Sequence, residues 1–135
     1  MGLFNLHSEA SNVYKISNAI VHESIHSLIY KLELHEDLYT DQNAAHEVMT
    51  VSPWTERPLQ VHSFVHACFV WYGLLNFWNL TPDAQPAISR LRGRAYRGFE
   101  PGSPLLAISP EAREVIAPNV RLVIEEMHER VMKTN

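Results

Sequence analysis

The segment from Val61 to Trp78 constrains the fold most, because it is long enough for a helix and carries apolar residues on nearly every side. These residues recur at helical spacing: Val61, Phe64, Val65, Cys68, Phe69, Trp71, Tyr72, Leu75 and Trp78. A helix with so little polar face must be covered by other elements. Its apolar stretch is broken by His66, Gly73 and Asn76 and is too short to span a bilayer. The sequence therefore predicts a central, buried helix.

A second helix is predicted from about Ser11 to Leu34. Its apolar residues also recur at helical spacing: Val13, Ile16, Ile20, Ile25, Leu28, Ile29 and Leu32. Ser8 and Ser11 are the two candidate N-caps. The short apolar segment Gly2–Leu6 ahead of them is typical of a strand.

The remaining segments predict short connections and two further helices. Residues 35–56 are largely polar, which predicts a loop with one strand at Val48–Val51. Thr81-Pro82-Asp83 is a typical helix start, and a loop follows at Gly98–Ser103. Ser109-Pro110-Glu111 begins the last helix, which Pro118 should kink or break before it ends near Met132. The predicted fold is mainly α, a single domain over residues 1–135 with one or two short β-strands.

Composition excludes several classes of protein. Hydrophobic residues make up 46 % and charged residues 19 % of the 135 residues, which is enough for a core without disulfides. The net charge of −4 and the scattered basic residues argue against a nucleic-acid partner. Cys68 is the only cysteine, and the first residues lack the features of a signal peptide. We therefore expect a cytoplasmic protein without a membrane partner.

The run His22-Glu23-Ser24-Ile25-His26 lies within the first predicted helix. Residues i and i+4 of a helix lie on one face, so both imidazoles can reach one metal ion. The carboxylate of Glu23 can approach a metal-bound water. Because Val21 and Ile25 are apolar, the histidines should be half-buried. The sequence predicts a metal ion used for chemistry, held between the two central helices.

The third ligand must come from another part of the chain. The extended zincin pattern needs its third ligand, a histidine, at the position that Leu32 occupies here. Glu47 has a suitable spacing from the motif to be a glutamate ligand instead, but it lies in a predicted loop. His62 and His66 are better candidates, since they lie on a helix that can pack against the first. The other histidines lie in polar surroundings typical of solvent exposure: His7, His35, His46 and His128.

Three blocks of sequence together resemble a known family. They are His22-Glu23-Ser24-Ile25-His26, the loop elements Ser52-Pro53-Trp54 and Arg57-Pro58-Leu59, and the segment from Val65-His66-Ala67 through Gly73 to Phe77-Trp78. In this order the chain, over about Leu3 to Arg97, resembles the HExxH proteins of peptide-modification gene clusters in natural-product biosynthesis. These are described as α-ketoglutarate-dependent peptide β-hydroxylases.

The resemblance implies His66, rather than His62, as the third ligand after His22 and His26. It also implies Fe(II) and α-ketoglutarate as cofactors and a peptide or amino-acid substrate. The segment before His66 is slightly longer than in the family. Family members also extend further at the N-terminus, so this chain resembles a minimal or N-terminally short version.

Three functions stay open at this point. Three imidazoles on Fe(II) leave positions for a 2-oxo acid and O₂, as in a non-haem oxygenase. A Zn²⁺ ion on the same ligands would activate water, with Glu23 as the general base of a peptidase. A non-catalytic domain could instead bind a metal, a precursor peptide or a partner protein. A homo-oligomer is compatible with each of these functions.

Arginine and tryptophan side chains supply the remaining candidates. Arg90, Arg94 and Arg97 are spaced i, i+4 and i+7 and should line one helix face, where they could bind the distal carboxylate of the oxo acid. Arg57 is the rival for this role. Trp54 follows a proline in the loop near the motif and is the candidate substrate-binding residue. Cys68 is expected to be buried and to face away from His66.

Overall fold

The computed structural model describes residues 6–81 and 85–135. Within these ranges the chain forms six α-helices, one 3-10 helix and two β-strands. In chain order they are α1 (Leu6–Glu33), α2 (Gln42–Glu47), β1 (Met49–Val51), β2 (Pro58–Gln60), α3 (Val61–Asn79), α4 (Pro86–Tyr96), the 3-10 helix (Pro104–Ala107), α5 (Pro110–Val115) and α6 (Pro118–Thr134). The prediction of a mainly α fold with one or two short strands is confirmed.

Helix α3 is the centre of the fold, as its apolar sequence predicts. Its side chains at Phe64, Val65, Cys68 and Leu75 are fully buried. Helices α1, α4 and α6 pack against it, and α2 and both strands contact it as well. None of the described helices combines the length and apolarity needed to cross a membrane.

Helices α1 and α3 run antiparallel. At one end, the indole Nε1 of Trp78 donates to Oδ1 of Asn18 at 2.8 Å, and the ring of Tyr14 packs edge-on against Trp78. At the other end, Glu33 near the end of α1 contacts His62 at the start of α3. An added Cβ at Gly73 would overlap Cδ1 of Ile25, so glycine allows the two helices to approach closely. This close approach positions the histidines of both helices.

The first helix differs from its predicted bounds at its N-terminus. It begins at Leu6, ahead of both Ser8 and Ser11, so neither of these serines is its N-cap. The predicted strand at Gly2–Leu6 lies outside the described residues except for Leu6, which is helical. Helix α1 ends at Glu33, one residue before the predicted end.

The segment between the two central helices contains more regular structure than predicted. Helix α2 was missed there, although Asp41 caps it by accepting from the backbone N–H groups of Asn43 and Ala44. Strand β1 was predicted, and it pairs with β2 in an antiparallel hairpin with Thr50 opposite Leu59. The hydroxyl of Ser52 accepts from two backbone N–H groups in the turn that joins them.

The C-terminal half matches the sequence more closely. Ser109 caps α5 by accepting from the N–H of Ala112, and Pro118 separates α5 from α6. The predicted helix start at Thr81-Pro82-Asp83 falls largely outside the described residues, and α4 begins at Pro86. Helix α4 ends at Tyr96, so Arg97 lies at its C-cap and not within the helix.

Candidate metal centre

The packing of α1 on α3 brings together the three histidines that the sequence singles out. Nδ1 of His26 lies 3.0 Å from Nδ1 of His66, and Nε2 of His26 lies 3.1 Å from Nε2 of His22. His66 is only 1 % exposed, whereas His22 and His26 are half-buried. His26 therefore meets His66 of the other central helix, and His22 contacts His26 on the same helix.

The three imidazoles do not yet point at one position. His26 presents Nε2 to His22 and Nδ1 to His66, which are opposite sides of its ring. A single ion bound by all three histidines takes one nitrogen from each. A site shared by all three histidines would therefore need the side chain of His22 or His26 to turn.

Glu33 is a member of this cluster that the sequence prediction missed. Its Oε1 lies 2.5 Å from Nε2 of His66, and its Oε2 lies 3.0 Å from Nε2 of His62. Among the described residues, Glu33, His62 and His66 form the one group of three whose possible ligand atoms all lie within 4.8 Å of one another. The signal in the sequence is the spacing of i+7 from His26, which places Glu33 on the same face two turns further on.

Aromatic rings pack against His62 and His66. The ring of Tyr30 lies 4.8 Å from that of His66, and the ring of His46 stacks on His62 at 4.4 Å. The hydroxyl of Tyr39 donates to the backbone carbonyl of His62 at 3.4 Å. His46 is exposed, as predicted, yet it shields one face of His62.

Burial favours the neutral form of two of the histidines by lowering the pKa of each. It lowers the pKa of His26, an effect that the neighbouring His22 adds to and the charge of Glu23 opposes. Burial also lowers the pKa of His66, although its contact with Glu33 acts in the other direction. Metal ions bind the neutral form of imidazole, so both effects favour metal binding at neutral pH.

The chemistry of the donor atoms suits a transition metal. Ligands about 2.1 Å from an ion and 90° apart lie about 3.0 Å from each other. Each separation between ring nitrogens is of this size, 3.0 Å between His26 and His66 and 3.1 Å between His26 and His22, but the two use different nitrogens of His26 and so do not define one ion position. Nitrogen ligands favour Fe, Zn, Ni or Cu over Mg or Ca. The type of donor therefore suits a transition metal, and among the described residues the donor atoms that converge are those of Glu33, His62 and His66.

Glu23 lies on the exposed side of α1. Its negative charge raises the pKa of His26, against the larger lowering effect of burial. Its predicted part in the chemistry stays a prediction.

Two of the four candidate arginines lie together beside α1. Arg90 and Arg94 line a surface cavity of about 170 Å³ together with Lys15. Lys15 precedes His22 by two helical turns, about 10 Å, and lies on the same face. The sequence prediction missed Lys15, which adds a third positive charge to this cavity.

The other two arginines are not part of this cavity. Arg97 donates to Oε1 of Glu56 at 3.2 Å in an exposed ion pair. Arg57 is exposed in the turn between β1 and β2. Because Arg97 already pairs with a carboxylate, it is less suited than Arg90 and Arg94 to bind an oxo acid. It also does not line their cavity.

Trp54 does not occupy the accessible position that its predicted role requires. It is 3 % exposed, and its Nε1 donates to the backbone carbonyl of Ala95 at 2.9 Å. Its indole packs against Trp71 and Phe99. The predicted substrate-binding role of Trp54 is therefore corrected: this side chain is part of the core. Cys68 is fully buried, as expected, and burial raises the pKa of its thiol.

Comparison of the chain with protein-family models, with curated proteins and with solved structures finds no match in any of the three.

Proposed function

We propose that the protein is a non-haem Fe(II), α-ketoglutarate-dependent oxygenase that hydroxylates a peptide or amino-acid substrate. His22, His26 and His66 would hold the metal. The observation that carries the proposal is the meeting of imidazoles from two helices at metal-ligand spacing around a buried His66. The resemblance of the three sequence blocks to HExxH peptide β-hydroxylases supports the choice of iron.

The chain itself supplies the environment for this chemistry. Bound Fe(II) with α-ketoglutarate would supply the oxidising equivalents from O₂. The three histidines are neutral ligands, so they add no negative charge to the ion. The burial of His66 between α1 and α3 limits the access of bulk water to the inner side of the site.

The cavity of Lys15, Arg90 and Arg94 supports a dicarboxylate co-substrate. Guanidinium groups bind carboxylates through two parallel hydrogen bonds. Because the cavity lies beside the helix that carries His22, its three basic side chains would hold the distal carboxylate of an oxo acid bound at the proposed metal. We assign the distal carboxylate to Arg90 and Arg94.

Metal content tests the ligand assignment. We expect one transition-metal ion per chain in the wild-type protein and loss of that ion in His22→Ala, His26→Ala and His66→Ala. His35→Ala is the matched control, because His35 is exposed just beyond the end of α1. Full metal occupancy in all three ligand variants would refute the site.

Succinate formation tests the reaction. The anaerobically iron-loaded protein should convert α-ketoglutarate to succinate when O₂ is admitted, and faster with a suitable peptide. The Glu23→Gln variant should keep most of this activity, because no metal-bound water needs a general base. Zinc-dependent peptide cleavage that Glu23→Gln abolishes, without succinate formation, would instead identify a peptidase. Peptide binding with neither activity would identify a non-catalytic domain.

Affinity for α-ketoglutarate tests the arginine cavity. Loss of a charge-assisted contact of about 1.5–3 kcal/mol weakens binding roughly ten- to 150-fold. We expect this loss in Arg90→Ala or Arg94→Ala, with iron binding retained. Arg130→Ala is the control, since Arg130 lies exposed on α6 and pairs with Glu126. Unchanged affinity in both cavity variants would transfer the role to Arg57.

A further inference from the structure

We infer that Glu33 is a positioning residue: it holds the ring proton of His66 on Nε2, so that the lone pair on Nδ1 faces His26 and the metal. The inference rests on the proposed metal site and adds a residue to it. It also assigns His62 to the support of Glu33 and not to the metal.

The proton assignment follows from the contact itself. A carboxylate only accepts hydrogen bonds, and its oxygen lies 2.5 Å from Nε2 of His66. An unprotonated Nε2 at this distance would place two lone pairs against each other in a buried site. Neutral imidazole carries one ring proton, so a proton on Nε2 leaves Nδ1 as the free donor. Nδ1 is the nitrogen that lies 3.0 Å from His26.

The same distance argues against Glu33 as a metal ligand. Two atoms bound to one ion at about 2.1 Å and 90° are about 3.0 Å apart. The 2.5 Å between Oε1 of Glu33 and Nε2 of His66 is well below this value and nearer to the roughly 2.7–2.9 Å of a charge-assisted N–H···O hydrogen bond. The two atoms therefore share a proton and not an ion.

His62 completes the arrangement by binding the other oxygen of the carboxylate. Nε2 of His62 lies 3.0 Å from Oε2 of Glu33, and both side chains are only 14 % exposed. With both oxygens occupied, Glu33 has little freedom to rotate. Histidine ligands commonly donate their second ring nitrogen to a carboxylate, which fixes the tautomer and the orientation of the ring.

Zn²⁺ affinity of the metal-free protein tests the inference. The loss of such a carboxylate typically weakens metal binding about 10- to 100-fold. We expect this loss in Glu33→Gln, a smaller loss in His62→Ala, and a much larger loss in His66→Ala. Glu36→Gln is the control, because Glu36 is exposed beyond the end of α1. Urea unfolding of each metal-free variant separates lost stability from lost affinity.

Nitrogen-15 NMR of the histidine rings reads the tautomer directly, without any activity assay. In the metal-free wild-type protein, His66 should carry its proton on Nε2, and Glu33→Gln should lose this preference. A wild-type His66 with its proton on Nδ1 would overturn the inference even if no variant of Glu33 folds.

The pattern of variants distinguishes the possible failures. Unchanged Zn²⁺ affinity in Glu33→Gln, with loss in His22→Ala and His26→Ala, would refute the inference and leave the proposed site intact. A loss in Glu33→Gln as large as in His66→Ala would make Glu33 a ligand and would also overturn the inference. Retained binding in His22→Ala and His26→Ala would refute the proposed site itself.

Discussion

The substitution Gly98→Ala tests how tightly Trp54 is held in the core. An added Cβ at Gly98 would lie 2.6 Å from Nε1 of Trp54, and closer still to Cδ2 and Cε2. Carbon atoms in contact prefer a separation of about 3.5–4.0 Å. The indole is rigid and is packed against Trp71 and Phe99, so it cannot yield as a flexible side chain would.

The expected cost has two parts. Overpacking of a well-filled core costs about 1–3 kcal/mol. A shift of the indole would also break the 2.9 Å hydrogen bond to the carbonyl of Ala95, which adds about 1–3 kcal/mol when the groups stay buried. We therefore expect Gly98→Ala to lower the free energy of unfolding by about 2–6 kcal/mol.

Urea unfolding measures this effect, and Gly93→Ala is the matched control. Gly93 lies within α4, and no atom lies within 4 Å of an added Cβ there. This variant should gain about 0.5–1 kcal/mol from the higher helix propensity of alanine. Gly98→Ala should also cost less in a Trp54→Phe background, since the two positions are in contact. A wild-type unfolding midpoint for Gly98→Ala would refute the packing argument and reopen an accessible role for Trp54.

Three further predictions each concern a single residue. Because Cys68 is buried and its thiol pKa is raised, iodoacetamide should leave the folded protein unmodified and alkylate this cysteine only in denaturing urea. Asn18→Ala removes the acceptor of the Trp78 indole and should cost about 1–3 kcal/mol in urea unfolding; an unchanged midpoint would contradict the antiparallel pairing of α1 and α3. Ser109→Ala removes the cap that accepts from the N–H of Ala112 and should cost about 1 kcal/mol; an equal loss in an exposed serine such as Ser63 would contradict a capping role.

The sequence predicts the long elements of this fold better than its short ones. Apolar spacing over five or more turns identifies α1 and α3, because each repeat adds evidence for the same period. Helix α2 has six residues and gives no such repeat, so only the cap at Asp41 could have indicated it. The N-terminal end of α1 was missed for a related reason: a serine is a possible cap anywhere, and the chain before Ser8 continues the helix.

The candidate metal centre was likewise predictable only in part. The spacing of His22 and His26 is fixed by one helical turn, so sequence alone predicts that they are neighbours. Which residues of α3 meet them depends on how the two helices cross, and that depends on contacts several turns away. Gly73 admits Ile25, and Trp78 binds Asn18; together they fix the alignment that carries His66 to His26 and Glu33. The i+7 spacing from His26 places Glu33 on the histidine face of α1, but only this alignment shows that it meets His66 and not solvent at the end of the helix.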